Sequence, residues 1–407
     1  VNRADQQLAE TVRAEGARIL ATLVRKLGDL HLAEDAVQDA MLRALAQWPV
    51  TGVPDSPRAW LTVTARRAAI DVLRRETART FKERAAVDLH VDDDPLEHIV
   101  EDDILRLIFT CAHPSLGLPA QVTLALRTLC GLSTTQIASV LLTSEAAVAK
   151  RLTRTRAKIA RAGIPYQVPS AAELPSRLAA VCAVVYTLYT SAHTATSGPH
   201  LSDVDGCREA VRLARLVVEL MPDEGAPMSL LALLLLTEAR RGARTDPDGH
   251  PVVLADQDRA RWDRAAIDEG SRLLAASLRR SDGIADPYQL QAAIAMEHAR
   301  ATSYRDTDWA EIVRLYTLLT EVAPSPANRV ARAVAIAEMS GPAAGLRALS
   351  DIDLDHRGHA VRAELLAREG RFAEAIEQMS ASLAGPLSTA EADHRRALIA
   401  QWTPPTM

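Results

Sequence analysis

The chain lacks any apolar run long enough to cross a bilayer. Its longest runs, "LAAVCAVVYTLY" and "LLALLLL", fall short of the ~18 to 20 residues that a membrane helix requires. No basic-apolar-small signal opens it, so no membrane anchor is expected and the cytoplasm is the expected compartment. Cysteine is scarce: Cys111, Cys130, Cys182 and Cys207 stand far apart, without a C-x-x-C pair or a metal-ligand rhythm. That spacing speaks against a disulfide framework and for core thiols in a reducing compartment. A glycine-rich phosphate loop, a zinc-binding helix motif and a nucleophile elbow are also missing. An enzyme would have no residue to work with, and no metal or cofactor is expected. β-Branched runs are few and nearly every segment has a helical period, so the expected class is all-α.

What is present is a chain of 407 residues and 44.0 kDa, 48% hydrophobic, enough for two or three domains with their own cores. Its formal charge of -5 is unevenly spread. Residues 1–165 hold 22 basic and 20 acidic side chains, a balance of +2, whereas residues 166–407 hold 25 and 32, a balance of -7. The near-neutral first part consists of alternating charged blocks, which say more than its sum.

The clearest block, residues 133–161, reads "STTQIASVLLTSEAAVAKRLTRTRAKIAR". Ser133 and Gln136 have capping-box spacing, which predicts a helix from Thr134 that buries Ile137, Val140 and Leu141. Ser144 then caps a second helix across a tight corner, with Glu145 at the positive end of its dipole. On this helix Val148, Leu152 and Ile159 share one face, and Lys150, Arg154, Lys158 and Arg161 lie opposite. With Arg151 and Arg156 these make six basic residues against one acid between 144 and 165. Two short helices meeting at a corner, the second basic on its outer side, form the helix-turn-helix arrangement sized for a DNA major groove. A preceding helix starts at Pro119, holds Leu124 and Leu129, and stops at Gly131.

Upstream, "LAEDAVQDAMLRALAQW" predicts an amphipathic helix over 32–48. Ala33, Val37, Ala40, Leu45 and Trp48 face inward, and Glu34, Asp35, Gln38 and Asp39 form an acidic exposed side. The loop "PVTGVPDSP" breaks it. The next helix, "RAWLTVTARRAAIDVLRRE", buries Trp60, Leu61, Val63, Ile70 and Leu73 and exposes Arg66, Arg67, Arg74 and Arg75. Arg79, Lys82 and Arg84 extend this second basic surface, so residues 66–84 carry seven basic residues against three acids. Between the two surfaces "VDLHVDDDPLEHIVEDD" has eight acids and no lysine or arginine, and reads as a solvated linker.

The order "AEDAVQDAML", "AWLTVTARRAAIDVLRRE", acidic linker, "LPAQVTLALRTLCGLSTTQIASVLLTSEAAVAKRLTRTRAKI" resembles the extracytoplasmic-function group of bacterial RNA polymerase sigma factors. Residues 1–84 look like sigma region 2, 85–103 like the linker and 104–166 like the helix-turn-helix of sigma region 4. The resemblance implies partners and no reaction: core RNA polymerase, through its clamp helices and flap, and promoter DNA. It implies that Asp35, Gln38 and Asp39 dock on the clamp helices. Arg66, Arg67, Asp71, Arg74 and Arg75 would then lie along the minus-ten element. Ser144, Glu145, Lys150, Arg151, Thr153, Arg154 and Lys158 would lie along the minus-thirty-five element. Two places depart from the family pattern. Arg66 and Arg67 replace a common Arg-Asn pair, and Ala146, Ala147, Val148 and Ala149 replace the usual Gly-Thr-Val-Lys, which shifts the expected base reading to Lys150, Thr153 and Arg154.

Residues 170–407 keep the helical period and lose the basic bias. "VARAVAIAEMSGPAAGLRAL" and "AVRAELLAREGRFAEAIEQM" each read helix, glycine turn, helix, and recur after about thirty residues, near the tetratricopeptide period. "ARTDPDGHPVVLADQDRARWDR" fits either a small β-hairpin around its Pro-Asp-Gly turn or an irregular loop. This half resembles the tetratricopeptide-like extension of one sigma subgroup. Where that subgroup has an Asn-Glu-Gly-Tyr run, this chain has Thr190, Ser191, Ala192 and His193, and His193 reads as a polar loop residue before a ligand. The acidic balance makes the extension a candidate regulator, packing on a basic surface or bringing in a protein partner. The leading expectation is a promoter-recognition subunit. The alternatives are a stand-alone helix-turn-helix regulator with a helical sensor domain, and a solenoid scaffold with incidental basic helices. The acidic helix ahead of the first basic surface favours the first, since a repressor has no need of it.

Overall fold

Among the described residues every regular element is a helix, and no strand forms. The structure, a computed structural model, describes residues 3–79, 96–141, 143–194, 200–281, 283 and 285–403. It divides into two units, Val1–Thr187 and Leu188–Met407.

In the first unit α1 (Arg3–Leu27), α2 (Leu30–Thr51) and α3 (Pro57–Arg79) pack on one another, and α4 (Leu96–Cys111) lies along α1. The Asp29 carboxylate caps α2 by accepting from the His31 and Leu32 N–H groups. Contrary to the sequence reading, α2 does not stop at Pro49 but runs to Thr51 and ends at Gly52, whose φ of 85° suits glycine. Pro49 falls in the last turn, where losing one helix hydrogen bond disturbs least. The core takes Leu20, Leu23 and Val24 from α1, Val37 and Trp48 from α2 and Leu61 from α3; Trp48 meets Trp60 edge-on at 5.6 Å. Two expected core residues are outside: Leu45 is 46% and Val63 48% exposed. The reason is alanine. Ala40, Ala44, Ala65 and Ala69 are fully buried, so the helices approach along small side chains and the neighbouring larger ones fall at the rim.

The acidic stretch is helical from Leu96, and its last residue is not solvated. Asp103 is buried and pairs with Arg25 at 2.8 Å and Arg106 at 3.5 Å. The Tyr166 hydroxyl lies 2.7 Å from the Asp103 carbonyl oxygen and 3.0 Å from that of Ala21, which ties α1, α4 and the segment around residue 166 together. Next come α5 (Leu118–Thr128), α6 (Thr134–Val140), α7 (Glu145–Ala162) and α8 (Leu174–His193), with α7 packed on both α5 and α6.

The second unit continues through α9 (Val204–Leu220), α10 (Gly225–Glu238), α11 (Arg264–Leu278), α12 (Pro287–Arg300), α13 (Trp309–Val322), α14 (Pro326–Ser340), α15 (Pro342–Ala348), α16 (His356–Arg368), α17 (Phe372–Ser382) and α18 (Thr389–Trp402). Leu230–Leu236 of α10 are buried on every side, because α9, α11 and α12 all pack on this helix. Helices pair in sequence, α12 with α13, α14 with α15 and α16 with α17. Pro326 to His356 and Pro342 to Phe372 are each thirty residues apart, so the expected repeat is a repeat of helix starts. Residues 243–264 take the irregular alternative: one isolated bridge, Thr245 to Pro251, closes the turn, and short 3-10 turns follow.

Gly345 lets α15 cross α14 closely. A Cβ there would stand 2.6 Å from the Ala337 Cβ and 2.9 Å from the Ala333 carbonyl oxygen. Alanine gains about 1 kcal/mol over glycine inside a helix, but overpacking of a core costs about 1 to 3 kcal/mol. Gly345→Ala is therefore expected to destabilise the extension, read as a lower denaturant midpoint at unchanged slope. A midpoint that rises would show that the crossing has room.

Candidate nucleic-acid interface

The corner between α6 and α7 is built by its caps. The Gln136 N–H donates to Ser133 Oγ at 3.1 Å and the Ser133 N–H to Gln136 Oε1 at 2.9 Å, a complete capping box. Ser144 Oγ accepts from the Ala147 N–H at 3.2 Å, and Gly163, at φ 57°, ends α7. Val148, Leu152 and Thr155 turn into the unit, with Ile159 half-buried beside them. Lys150, Thr153, Arg154, Lys158 and Arg161 are exposed, as are Ser144 and Glu145 at the helix start. The outward stripe thus carries four cations, and Thr153 Oγ1 is bonded back to the Ala149 carbonyl at 3.0 Å.

Two basic residues of α7 leave that stripe. Arg151 donates from Nη1 to Thr123 Oγ1 at 3.1 Å, so it anchors α7 on α5. Arg156 points to α2, its Nη2 2.5 Å from Glu34 Oε2. Glu34 was expected on the exposed acidic side of α2 and is only 4% exposed. Burial pushes its carboxyl above the usual range; Arg156 chiefly, and Arg127 behind it, pull it back. Val12, Gly16, Glu34, Gln38, Arg127 and Gly131 line a narrow crevice here, where α1 and α2 face the turn between α5 and α6.

The other acidic residues of α2 remain outside. Asp35 and Asp39 have side chains 60% and 45% exposed, near His31 at 3.4 Å and Arg43 at 2.8 Å, and Gln38 is exposed at the crevice rim. On α3, Arg67, Asp71 and Arg74 are exposed and Arg66 is half-buried. The side chains of Arg75, Arg79, Lys82 and Arg84 lie outside the described residues.

His193 is not a loop residue. It ends α8 inside a polar cluster that sequence reading missed, with Nδ1 3.0 Å from the Tyr189 hydroxyl, 3.2 Å from Arg244 Nη1 and 3.5 Å from Glu238 Oε1. Cys207 joins it, so His, Cys and Glu donor atoms lie within 4.8 Å of one another. These are metal-ligand types, but Arg244 already faces the imidazole nitrogen. Burial first, then Glu238, pushes the Cys207 thiol up to about 12, so it keeps its proton. The cluster joins α8, α9 and α10 as an internal hydrogen-bond network.

Comparison with known proteins matches this layout. Residues 11–79, from α1 through α3, match sigma-70 region 2, and residues 177–278 match DUF6596, a family of unknown function. A probable ECF RNA polymerase sigma factor, SigI, from Mycobacterium tuberculosis strains CDC 1551 and H37Rv is 31% identical over 166 residues, 39% of this chain and 56% of that protein. The first part of the chain is therefore homologous to an extracytoplasmic-function sigma factor, and a helical extension follows it. Uncharacterized protein R00370 of Rhizobium meliloti (strain 1021) is 40% identical over 389 residues, 93% of this chain and 91% of that one. The chain belongs to the family of this R. meliloti protein, and in this chain a sigma-70 region 2 match and a DUF6596 match share one polypeptide. No helix among the described residues is long and apolar enough to cross a membrane.

The Glu34–Arg156 pair yields a test. Removing one partner of a buried ion pair costs about 3 to 5 kcal/mol, and the 19% exposure of the Arg156 side chain places Arg156→Ala at the low end. Glu34→Gln in the same chain removes the stranded charge and is expected to restore part of the loss. Urea unfolding with hydrogen exchange on α7 reads both, and strictly additive effects would mean that the two side chains do not hold each other.

Proposed function

We propose that the chain is a promoter-recognition subunit that binds core RNA polymerase, directs it to particular promoters and leaves catalysis to the polymerase. One observation carries this reading: the sigma-70 region 2 match falls on α1–α3, and the same unit holds a capped helix pair whose second helix faces outward with Lys150, Arg154, Lys158 and Arg161. In this reading α6 and α7 are the helix-turn-helix of region 4, and α7 lies along the minus-thirty-five element. Lys150, Thr153 and Arg154 reach base edges or phosphates, Lys158 meets backbone phosphate, and the free N–H groups behind Ser144 and Glu145 suit a phosphate at the helix start. Arg151 acts through α5, by keeping the recognition helix at its angle.

Arg66, Arg67, Asp71, Arg74 and Arg75 on α3 are assigned to the minus-ten element, and Asp35, Gln38 and Asp39 on α2 to the polymerase clamp helices, with the flap as the second polymerase contact. Asp35 and Asp39 stay accessible while Glu34 is held by Arg156, so first contact with the polymerase does not require that pair to open. The extension, read as tetratricopeptide-like, serves regulation or a protein partner.

The experiment is assembly and run-off transcription with purified core polymerase. Asp35→Ala together with Asp39→Ala should weaken assembly on a native gel several-fold at unchanged helix content. Arg154→Ala should cost roughly 1 to 3 kcal/mol of promoter binding and relax selection at one upstream base if it reads an edge, or weaken all promoters evenly and lower the salt dependence if it meets phosphate. Unchanged assembly by the double variant, or tight duplex binding with no requirement for polymerase, would reject this function in favour of a stand-alone regulator.

A further inference from the structure

The extension holds a cavity of about 380 Å3 between α10, α12, α13 and the start of α14. That volume is in the range of small-molecule sites, roughly 300 to 1,000 Å3. Leu233, Leu236, Ile294 and Leu319 make much of its wall, and six polar side chains, among them Arg240 and His298, also line it. Both are unusual for a protein interior.

Arg240 is half-buried at the cavity wall, and no carboxylate pairs with it among the described residues. The charged side chains that act on it most are cations, Arg244 and Arg259; burial first, then these neighbours, pull its pKa down to about 10. Its guanidinium carbon stands 5.9 Å from the Trp262 ring, which Arg259 also approaches at 4.6 Å. Other arginines of the same unit find acids: Arg215 pairs with Glu269, Arg368 with Glu338 and Arg395 with Glu391. His298 Nδ1 is buried without a hydrogen-bond partner, and the ring packs edge-on against Trp309 at 5.4 Å. Burial and the two arginines push the imidazole down to about 4, so at neutral pH it is uncharged and can offer one N–H.

A cation in a low-dielectric cavity without a counter-charge is costly, and the cost falls when an anion enters. Guanidinium is the group best matched to a carboxylate or phosphate, because its N–H groups meet two oxygens at once. We propose that this cavity binds a small amphiphilic anion, a carboxylate or phosphate on an apolar ring or short chain, with Arg240 holding the oxyanion, His298 adding a hydrogen bond and the leucine and isoleucine wall taking the apolar body. The site belongs to the extension alone and stands or falls separately from promoter recognition.

The test uses the full chain in chloride buffer free of other anions, titrated calorimetrically with benzoate, phenyl phosphate, inorganic phosphate and benzyl alcohol. Saturable one-to-one binding of benzoate or phenyl phosphate is expected, with a melting temperature that rises with ligand concentration and no binding of neutral benzyl alcohol. The stronger of the two aryl anions tells carboxylate from phosphate. Arg240→Met should weaken binding at least tenfold and Arg240→Lys less. Ala331→Leu, which fills space at the cavity wall without touching charge, should also weaken it and serves if Arg240→Met does not fold. Failure of both aryl anions to bind overturns the proposal, as does affinity unchanged by Arg240→Lys and Ala331→Leu, or inorganic phosphate binding as tightly as phenyl phosphate.

Discussion

A carboxylate taken out of water sets the geometry of the first unit. Glu34 could have stayed on the solvent face of α2; instead it is buried, and the two cations that make this tolerable come from α7 and α5. At about 100° per residue, turning Glu34 inward brings Gln38 to the edge of the same face and leaves Asp35 and Asp39 about 100° to 140° away. On α7 the same step puts Arg156 beside the Val148–Leu152–Ile159 stripe and about 120° to 160° from Lys150, Arg154, Lys158 and Arg161. One ion pair therefore fixes the outward faces of both helices. Its attraction does not fully offset burial, since the Glu34 carboxyl remains raised. Its contribution is to orientation more than to stability.

The same unit has a second fastening. Asp103 with Arg25, and Tyr166 between two main-chain carbonyl groups, join α1, α4 and the segment after α7. Such contacts between distant parts of the sequence hold the region 2 helices and the capped helix pair in one unit although the acidic stretch between them offers few apolar residues. Asp103 is the last residue of that stretch. Its seven preceding acids made it look like one more solvated charge, whereas its neighbours on α4, Ile104, Leu107 and Ile108, are buried and carry it inward.

Local chemistry was legible in the sequence, and distant pairing was not. The Ser133–Gln136 box and the Ser144 cap were readable because each bond spans three residues. The helical class and the thirty-residue spacing of the extension followed from apolar period and glycine punctuation. Glu34 and His193 were misjudged for a common reason: their partners Arg156 and Glu238 are remote in sequence, and charge type alone does not say which way a side chain at the edge of an apolar stripe will turn. Arg156 did carry a signal, its phase next to Leu152, which a count of basic residues hides. Leu45 and Val63 failed differently, because hydrophobic period ranks large residues as core while these helices meet along alanine.

The extension shows how little net charge says about local field. Its surplus of acids lies largely at the surface, where pairs such as Glu311–Arg314, Glu374–Arg371 and Asp393–Arg396 sit three residues apart on exposed helix faces. Water screens such charges, and pairs of this kind contribute at most about 1 kcal/mol each. Inside the cavity of α10 and α12 the order is reversed. Arg240 and His298 line it, and burial first, then Arg240 and Arg259, hold the His298 imidazole neutral. An anion approaching the surface meets a faintly repulsive protein, and one that reaches the cavity meets an attractive one. Selection then rests on whether a ligand's apolar body can follow its charge past the rim, a matter of shape and not of the -7 that the sequence displays.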